Sequence, residues 1–206
     1  GVMHSLRNLC LVAIFVNTAA AAAALDRDLV ERCAKEPELR DQLYCIERGD
    51  KDYDNEDATD EGDWLRKSSV SPIDDSRNVA LHVLADTPFE GWIDEKSGAL
   101  FLRCSENETD AYIYTGLPAQ PERGNYNRVT VTLRYDKEDA RTIVMNESTD
   151  NQALFFRQPI AEIKRMMEHE EMLFRFTPHN APPTTTRFQL HGLEKAIKPL
   201  REACHW

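Results

Sequence analysis

The sequence predicts a mainly β (α+β) protein, with an antiparallel β-sandwich-like domain and two packed helices that follow a small disulfide-linked helical hairpin. Three observations predict it. Apolar residues alternate with period two over much of the chain after residue 63, two later segments show helical spacing instead, and two cysteines bracket a helical pattern near the N-terminus. Such alternation is typical of an antiparallel sheet with one solvated face. We therefore divide the chain into residues 1–24, 25–48, 49–63 and 64–206.

Residues 1–24 are predicted to be a signal peptide. Arg7 is their only charge, an apolar run spans Leu9 to Val16, and the small residues Ala22-Ala23-Ala24 suit cleavage before Leu25. The run is far shorter than the ~20 residues that a membrane-spanning helix needs. The alternative is an uncleaved anchor. We expect an exported protein with no membrane span after cleavage.

Four cysteines follow the predicted cleavage point: Cys33, Cys45, Cys104 and Cys204. An even number in an exported chain predicts disulfides. Of the three possible pairings we favour Cys33–Cys45 and Cys104–Cys204, because the first is local and the second would fasten the C-terminus to the sheet. A zinc site is disfavoured, because no C-x-x-C pair exists and His205 is too close to Cys204 to form a normal ligand pair.

Residues 25–48 are predicted to form a helical hairpin. Apolar residues recur there at helical spacing: Leu29, Cys33, Leu39, Leu43 and Ile46. Pro37 suits the first turn of the second helix, where its missing N–H costs nothing. A disulfide between the two helices would stabilise a unit too small to fold on its own core.

Residues 49–63 are predicted to be an acidic linker, with eight acids against one lysine. Four of the acids have the ligand spacing of a calcium loop: Asp50, Asp52, Asp54 and Glu61. Asn55 replaces the glycine of the sharp turn, and Asp57 occupies a position that is usually apolar. We therefore interpret the segment as a tether, with calcium as the weaker alternative.

The clearest strand is residues 128–135, where Val129, Val131, Leu133 and Tyr135 are predicted to face the core. Other sets of alternate residues share one face of a strand: Val79, Leu81 and Val83; Leu100, Leu102 and Cys104; Tyr112 and Tyr114; Met172, Phe174 and Phe176; Phe188 and Leu190. Turn-forming clusters separate these segments. The spacing predicts six to eight strands.

Two helices are predicted. The first, residues 159–170, begins at Pro159 and should bury Ile160, Ile163 and Met167. The second, residues 192–204, presents one apolar stripe: Leu193, Ala196, Ile197, Leu200 and Cys204. Pro199 removes a backbone donor from it, so we expect a kink or a break there.

The charge and the motifs exclude several functions. A net charge of −11, which becomes −12 when the segment with Arg7 is removed, disfavours binding to nucleic acid or anionic lipid. Neither G-x-S-x-G nor H-E-x-x-H occurs, and we assign no catalytic residue and no cofactor. The candidate bases are dispersed: His82, His169, His179, His191 and His205. Two distant acids could still form a glycosidase pair, but nothing selects one from 36 acids.

Two further groups of residues invite functional readings. Asp74-Asp75-Ser76 is predicted to be a turn, because Asp and Ser side chains commonly accept hydrogen bonds from nearby backbone N–H groups. Trp64, Trp92 and Trp206 could stack on sugars, but we interpret them as core residues or plugs at the edge of the sheet.

Several motifs, in order, resemble one bacterial family. They are Trp64, "DDSRNVALHVLAD", "LFLRCSENETDAYI", "VTLRYD", "ESTDNQALFF" and "FRFTPHNAPPTTTRFQLHGLEKAIKPLREACHW". With them the chain resembles the VasI/TagO-type periplasmic accessory proteins of type VI secretion. The stretch "ERCAKEPELRDQLYC" is similar to the cysteine-paired hairpin that precedes the domain in such proteins. It departs from them at "LYCIERGD", where a Tyr-Asp pair usually follows the second cysteine.

The resemblance implies a non-enzymatic periplasmic accessory or binding protein of a Gram-negative bacterium that supports type VI secretion. Its partner would be an envelope or secretion-machine protein. The alternative is an enzyme that acts on cell-wall glycan, or an inhibitor of one, motivated by the tryptophans and the many carboxylates. A cleft with two facing acids ~5–10 Å apart would favour that alternative.

Overall fold

The computed structural model describes residues 57–58, 62–125 and 127–206, which all belong to one unit spanning Asn55–Trp206. The predicted signal peptide, the helical hairpin with Cys33 and Cys45, and the four calcium candidates Asp50, Asp52, Asp54 and Glu61 lie outside the described residues. Those assignments, and the domain boundaries, stay predictions.

Twelve strands and three short helices occur in the described ranges. The strands are β1 (Asp57–Ala58), β2 (Leu65–Val70), β3 (Arg77–Leu84), β4 (Phe89–Glu90), β5 (Glu95–Lys96), β6 (Ala99–Ser105), β7 (Glu108–Tyr114), β8 (Arg128–Tyr135), β9 (Arg141–Glu147), β10 (Ala153–Phe155), β11 (Glu171–Phe176) and β12 (Thr184–Gln189). The helices are α1 (Pro159–Met166), α2 (Leu193–Ala196) and α3 (Lys198–Ala203). None of them is long and apolar enough to cross a membrane.

Ten strands form one antiparallel sheet in the order β1-β2-β3-β6-β7-β10-β9-β8-β11-β12. The sheet curls until its last strand meets its third, since Ala85, directly after β3, bridges Phe188 of β12. β4 and β5 form a separate hairpin between β3 and β6. The prediction of a mainly β, antiparallel fold is therefore confirmed, and the curled sheet is consistent with a β-sandwich-like arrangement. The helices are shorter than predicted.

The predicted number of six to eight strands is too low. β1, β4 and β5 contain two residues each and β10 contains three. Alternation needs about four residues to be recognised, so strands this short leave no periodic signal. Their pairing is determined by neighbouring strands. β1 lies inside the stretch predicted as an acidic linker and pairs with the start of β2.

The core is built from alternate residues of the strands, as the sequence predicts. In β8, Val129, Val131, Leu133 and Tyr135 expose 1% of their surface or less. The residues of the other predicted inward sets on β3, β6, β11 and β12 are buried as well. In β7 the core-facing residues are Ala111 and Ile113, so the pair Tyr112 and Tyr114 lies on the outer face of the sheet.

Helix α1 is shorter than predicted and buries a different methionine. It ends at Met166, and Ile163 and Met166 are its fully buried side chains. Met167 forms the C-cap and, like Ile160, is only partly buried. The prediction for Met167 is wrong because the helix ends before that residue, and the inward position is taken by the residue three places after Ile163.

The predicted break near Pro199 is confirmed. Helix α2 ends at Ala196 and α3 begins at Lys198, so that Pro199 lies in the first turn of α3. The absent N–H of a proline costs little in a first turn, whereas within one continuous helix it would remove a hydrogen bond. The break still leaves Ile197 and Leu200 fully buried.

A disulfide joins Cys104 in β6 to Cys204 after α3, with an S–S distance of 2.02 Å. Beside it, the indole Nε1 of Trp206 donates a hydrogen bond to Thr109 Oγ1 at 2.9 Å. Thr109 pairs with Cys104 across β6 and β7. The C-terminal residues are therefore fixed to one end of these strands.

A polar cluster ties the turn after β8 to α1. The buried Tyr135 hydroxyl donates a 2.5 Å hydrogen bond to Glu162 Oε1, which also accepts one from Arg141. Burial and the Glu162 carboxylate raise the pKa of Tyr135 above its ordinary range. The His169 ring stacks on Tyr135 and pairs with Asp136 at 2.9 Å. The cluster links three elements and lies against the core, so its role is structural.

Replacing Cys104 and Cys204 together by alanine should lower the free energy of unfolding by about 3–5 kcal/mol, because the bond closes a loop with a sequence separation of 100. Urea denaturation at pH 7 measures this loss. The double alanine variant of Cys33 and Cys45, which removes the other predicted disulfide, shows whether the loss belongs to the Cys104–Cys204 bond. A loss below 1 kcal/mol in the first variant would contradict the expectation.

Replacing Asp136 by asparagine should destabilise the protein by about 1 kcal/mol at pH 7. Desolvation would raise the pKa of Asp136. Hydrogen bonds from His169 and from the N–H groups of Glu171 and Glu170 outweigh it and hold this pKa below its ordinary value. The carboxylate therefore stabilises the fold above the ordinary pKa near ~4, and this contribution is lost as the pH falls through the lowered pKa.

Urea denaturation from pH 7 to pH 2 measures that dependence. The difference in unfolding free energy between the wild type and Asp136→Asn should be constant near neutrality and vanish in acid. Asp139→Asn, which changes an exposed carboxylate of the same turn, is the matched control. A difference that stays unchanged at pH 2 would refute the assignment.

Candidate functional site

The most exposed apolar side chains of the described residues include two at the tip of the β4–β5 hairpin. Trp92 exposes 74% of its surface and Ile93 exposes 90%. They are the central residues of a turn that Gly91 N–H closes by donating to the Asp94 carbonyl at 2.8 Å. We call Trp92, Ile93 and the flanking acids Glu90, Asp94 and Glu95 the hairpin tip. An adjacent Trp-Ile pair in water is typical of a binding surface rather than of a folding core.

The base of this hairpin is fixed in the core. Phe89 is fully buried and packs edge-on against Phe174 and Phe176, with ring centroids 5.9 and 5.2 Å away. Gly98 is required beside it, because a Cβ there would lie 2.3 Å from the Phe89 ring. The hairpin therefore holds its tip on a rigid support.

Threonines of β12 fasten the strand that leads into the hairpin. Thr186 Oγ1 donates to the Thr87 carbonyl at 2.8 Å and accepts from Thr87 N–H at 3.2 Å. Thr184 Oγ1 accepts from the Glu90 N–H at 3.2 Å. Both threonines are buried. These hydrogen bonds satisfy backbone groups that no sheet partner reaches, and they orient the hairpin against β12.

The tip carries negative charge around its apolar residues. Glu90, Asp94 and Glu95 are exposed, and the only cation paired with them in the described chain is Lys96, 3.0 Å from Asp94. Glu90 and Glu95 lie directly opposite each other across β4 and β5. An apolar centre with an acidic surround favours a partner that offers an apolar pocket with a basic rim.

Glu90 and Glu95 also line a cleft of about 280 Å³ between the hairpin and β12. Cross-strand neighbours have Cβ atoms ~5 Å apart, so this is a cleft with two facing acids. Both residues are exposed to water, whereas the general acid of a glycosidase is usually shielded from solvent. The cleft is therefore where a glycan-acting site would lie, but it lacks the solvent-shielded environment that a general acid needs.

A row of half-buried aromatic rings crosses the outer face of the sheet. His82, Phe101, Tyr112 and Phe155 lie on four neighbouring strands and stack in turn, with centroid distances of 5.1, 5.1 and 4.7 Å. Burial raises the pKa of Tyr112. Cross-strand aromatic pairs stabilise a sheet, and we interpret the row as a structural feature of that face.

The predicted turn at Asp74-Asp75-Ser76 forms as expected. Asp74 Oδ1 accepts hydrogen bonds from Ser76 Oγ at 2.6 Å and from Ser76 N–H at 3.1 Å, and these bonds lower the pKa of Asp74. Asp75 has a φ of 57°, as residues in tight turns often do. Both acids are exposed, and their geometry is that of a turn rather than of an acid pair sharing a proton.

The histidines do not form a catalytic group. His169 belongs to the cluster around Tyr135, and His82 to the aromatic row. His191 pairs with Glu170 at 2.9 Å on the surface, while His179 and His205 are exposed. In the parts of the chain that the structure describes, no three His, Cys, Asp or Glu side chains are placed to hold a metal ion.

The three tryptophans occupy different environments. Trp64 is buried, as predicted for a core residue. Trp206 is half-buried beside the disulfide. The prediction of a core or edge plug is wrong for Trp92. In the sequence, the Trp-Ile pair lies between Gly91 and Asp94, and these two residue types are typical of a turn. The pair itself has the composition of a strand, so composition alone does not show that it lies in a turn.

The comparisons with known proteins give the chain a family. None of the curated proteins matches it. Among solved structures it is similar to invasion associated protein B from Bartonella henselae, with 11% sequence identity and a TM-score of 0.45 over 69% of this chain and 94% of that chain. Residues 59–206 match the model of the type VI secretion system VasI/EvfG family. This span covers most of the chain, and the protein belongs to that family.

Proposed function

We propose that the protein is a non-enzymatic periplasmic accessory protein of type VI secretion that binds an envelope or secretion-machine protein through the hairpin tip. The observation that carries the proposal is the exposure of Trp92 and Ile93, at 74% and 90%, on a hairpin whose base is buried. Family membership supplies the secretion context. The predicted signal peptide and the Cys104–Cys204 disulfide support an oxidising compartment such as the periplasm.

The energetics of the tip suit a binding role. Trp is one of the residue types enriched among those that dominate protein–protein affinity, and its large apolar surface is removed from water on binding. The buried Phe89 and the Thr184 and Thr186 hydrogen bonds fix the hairpin before it meets a partner. A pre-organised surface loses little conformational entropy on association, so more of the contact energy appears as affinity.

The acids around the tip specify the kind of partner. Glu90 and Glu95 remain in water at the rim, where charges act on the association rate and on the choice of partner more than on affinity. An anionic lipid surface is disfavoured, because it would repel these carboxylates. A protein with an apolar pocket between lysines or arginines fits best.

The alternative function, action on cell-wall glycan, has the cleft at Glu90 and Glu95 as its one specific observation. Incubating the purified protein with purified peptidoglycan tests it, with release of soluble fragments as the measurement. Release that is abolished by Glu90→Gln together with Glu95→Gln would support that activity. An inactive protein would remove this alternative.

Replacing Trp92 and Ile93 together by alanine should reduce capture of the partner tenfold or more while leaving stability unchanged. The measurement is complementation of a deletion strain in its own host. Secretion by the contractile machine and co-purification of envelope proteins are compared between the wild type and the variant, and urea denaturation checks the fold.

The matched control is Val70→Ala with Ile73→Ala, because these side chains are exposed at 65% and 81% but lie away from the hairpin, at the end of β2 and in the turn that follows it. The control should secrete and co-purify like the wild type. The proposal fails if deletion leaves secretion and assembly of its membrane complex unchanged and no envelope partner is recovered. It fails equally if the tip variant behaves like the control.

A further inference from the structure

A second surface lies beside the disulfide at the C-terminal end of the fold. A groove of about 510 Å³ is lined by Lys198, Arg201 and Trp206, with Glu202 as its acid. Next to it, residues of α1 line a shallow apolar cleft of about 480 Å³ that includes Lys164. Lys164 lines the apolar cleft and Trp206 lines the groove, and the Lys164 ammonium lies 5.9 Å from the Trp206 ring. The two depressions therefore adjoin at this contact. We call them together the C-terminal groove.

The C-terminal groove combines positive charge with apolar surface. Lys164 and Lys198 form no ion pair with any described residue, although the chain as a whole has a net charge of −11. Arg201 Nε donates a hydrogen bond to the Trp206 carbonyl at 3.2 Å. The Arg201 guanidinium lies 5.3 Å from the Trp206 ring, which gives the groove an aromatic floor. Such a surface suits an acidic segment that carries exposed apolar side chains.

The hairpin tip has this composition. Its Trp92 and Ile93 provide the apolar side chains, and Glu90, Asp94 and Glu95 provide the carboxylates. The part of the chain that the structure describes thus carries two surfaces of complementary charge and similar apolar character.

The two surfaces lie at opposite ends of the same strands. The hairpin joins β6 at Ala99, whereas the disulfide leaves β6 at Cys104 and Trp206 bonds to Thr109 beside it. At ~3.3 Å per residue, Ala99 and Cys104 are about 17 Å apart along the strand. Because the hairpin base is fixed in the core, its tip cannot reach the groove of its own copy.

We propose that the hairpin tip of one copy docks in the C-terminal groove of a second copy, head to tail. Trp92 and Ile93 lie on the apolar floor, and the tip carboxylates face Lys164 and Lys198. Such an interface is heterologous, because it uses different surfaces of the two copies. The contact is small, so the association is weak and concentration-dependent.

This inference rests on the same hairpin tip as the proposed function, and the two are compatible. In a head-to-tail pair one copy has its tip buried in its neighbour, while the other keeps its tip free. The free tip remains available to the envelope or secretion-machine partner. Self-association would then determine how many accessory copies one partner brings together.

Sedimentation velocity of the purified protein, over a concentration series up to about 500 µM, tests the proposal in the range expected for a small interface. The wild type should associate progressively. Trp92→Ala with Ile93→Ala, and separately Lys164→Glu with Lys198→Glu, should each weaken association tenfold or more. Both lysines are exposed, so the charge reversal leaves the core intact. Val70→Ala with Ile73→Ala is the control and should associate like the wild type.

A mixture of the tip variant and the groove variant gives the sharpest result. The intact tip of one fits the intact groove of the other, so equimolar mixing should restore a 1:1 dimer that grows no further. A wild type that stays monomeric over the whole series overturns the inference. So does a mixture that stays monomeric, or a control that is weakened as much as the variants.

Failure of this inference is distinguishable from failure of the proposed function. If the wild type is monomeric but the tip variant loses its host partner, the self-association is refuted and the proposed function stands. If the copies associate as described but no host partner is recovered and secretion is unaffected, the proposed function is refuted and the self-association stands. The groove variant should keep its host partner, because its tip is unchanged.

Discussion

The meeting of β3 and β12 is the constraint on which the rest of the structure depends. Ala85 bridges Phe188, and the next residue donates its N–H to the Arg187 carbonyl at 2.9 Å. The buried hydroxyls of Thr186 and Thr184 continue this contact where regular pairing ends. The contact brings the last strand of a long sheet onto its third strand, around one core. It also determines where the β4–β5 hairpin leaves the surface, because the hairpin begins immediately after it.

The disulfide has a corresponding role at the other end of the strands. Cys204 directly follows α3, a six-residue helix that is too short to be stable by itself. The bond to Cys104 and the contact of Trp206 with Thr109 hold α3 on the sheet. The two ends therefore present defined but different surfaces, one acidic and apolar, the other basic and aromatic.

The sequence predicts those parts of the fold in which a regular period persists. Val129 to Tyr135 alternate over a whole strand, and their burial follows from that pattern. The two-residue strands have no period to detect, and Met166 replaces Met167 because a helix end is decided by capping and packing. The hairpin tip is not predictable in the same way. Trp92 is apolar like a core residue, and only its placement in a closed turn shows that it faces water.

The composition of the hairpin tip is best explained by binding. Folding requires Phe89, which is buried, but nothing in the fold requires Trp92 and Ile93, which touch water over most of their surface. Exposed apolar residues carry a risk of non-specific association. The carboxylates of Glu90, Asp94 and Glu95 reduce it, because they repel other acidic surfaces, including most of this chain, which has a net charge of −11. The same charges favour a partner surface that is both basic and apolar. The carboxylates therefore limit non-specific association and select the partner at the same time.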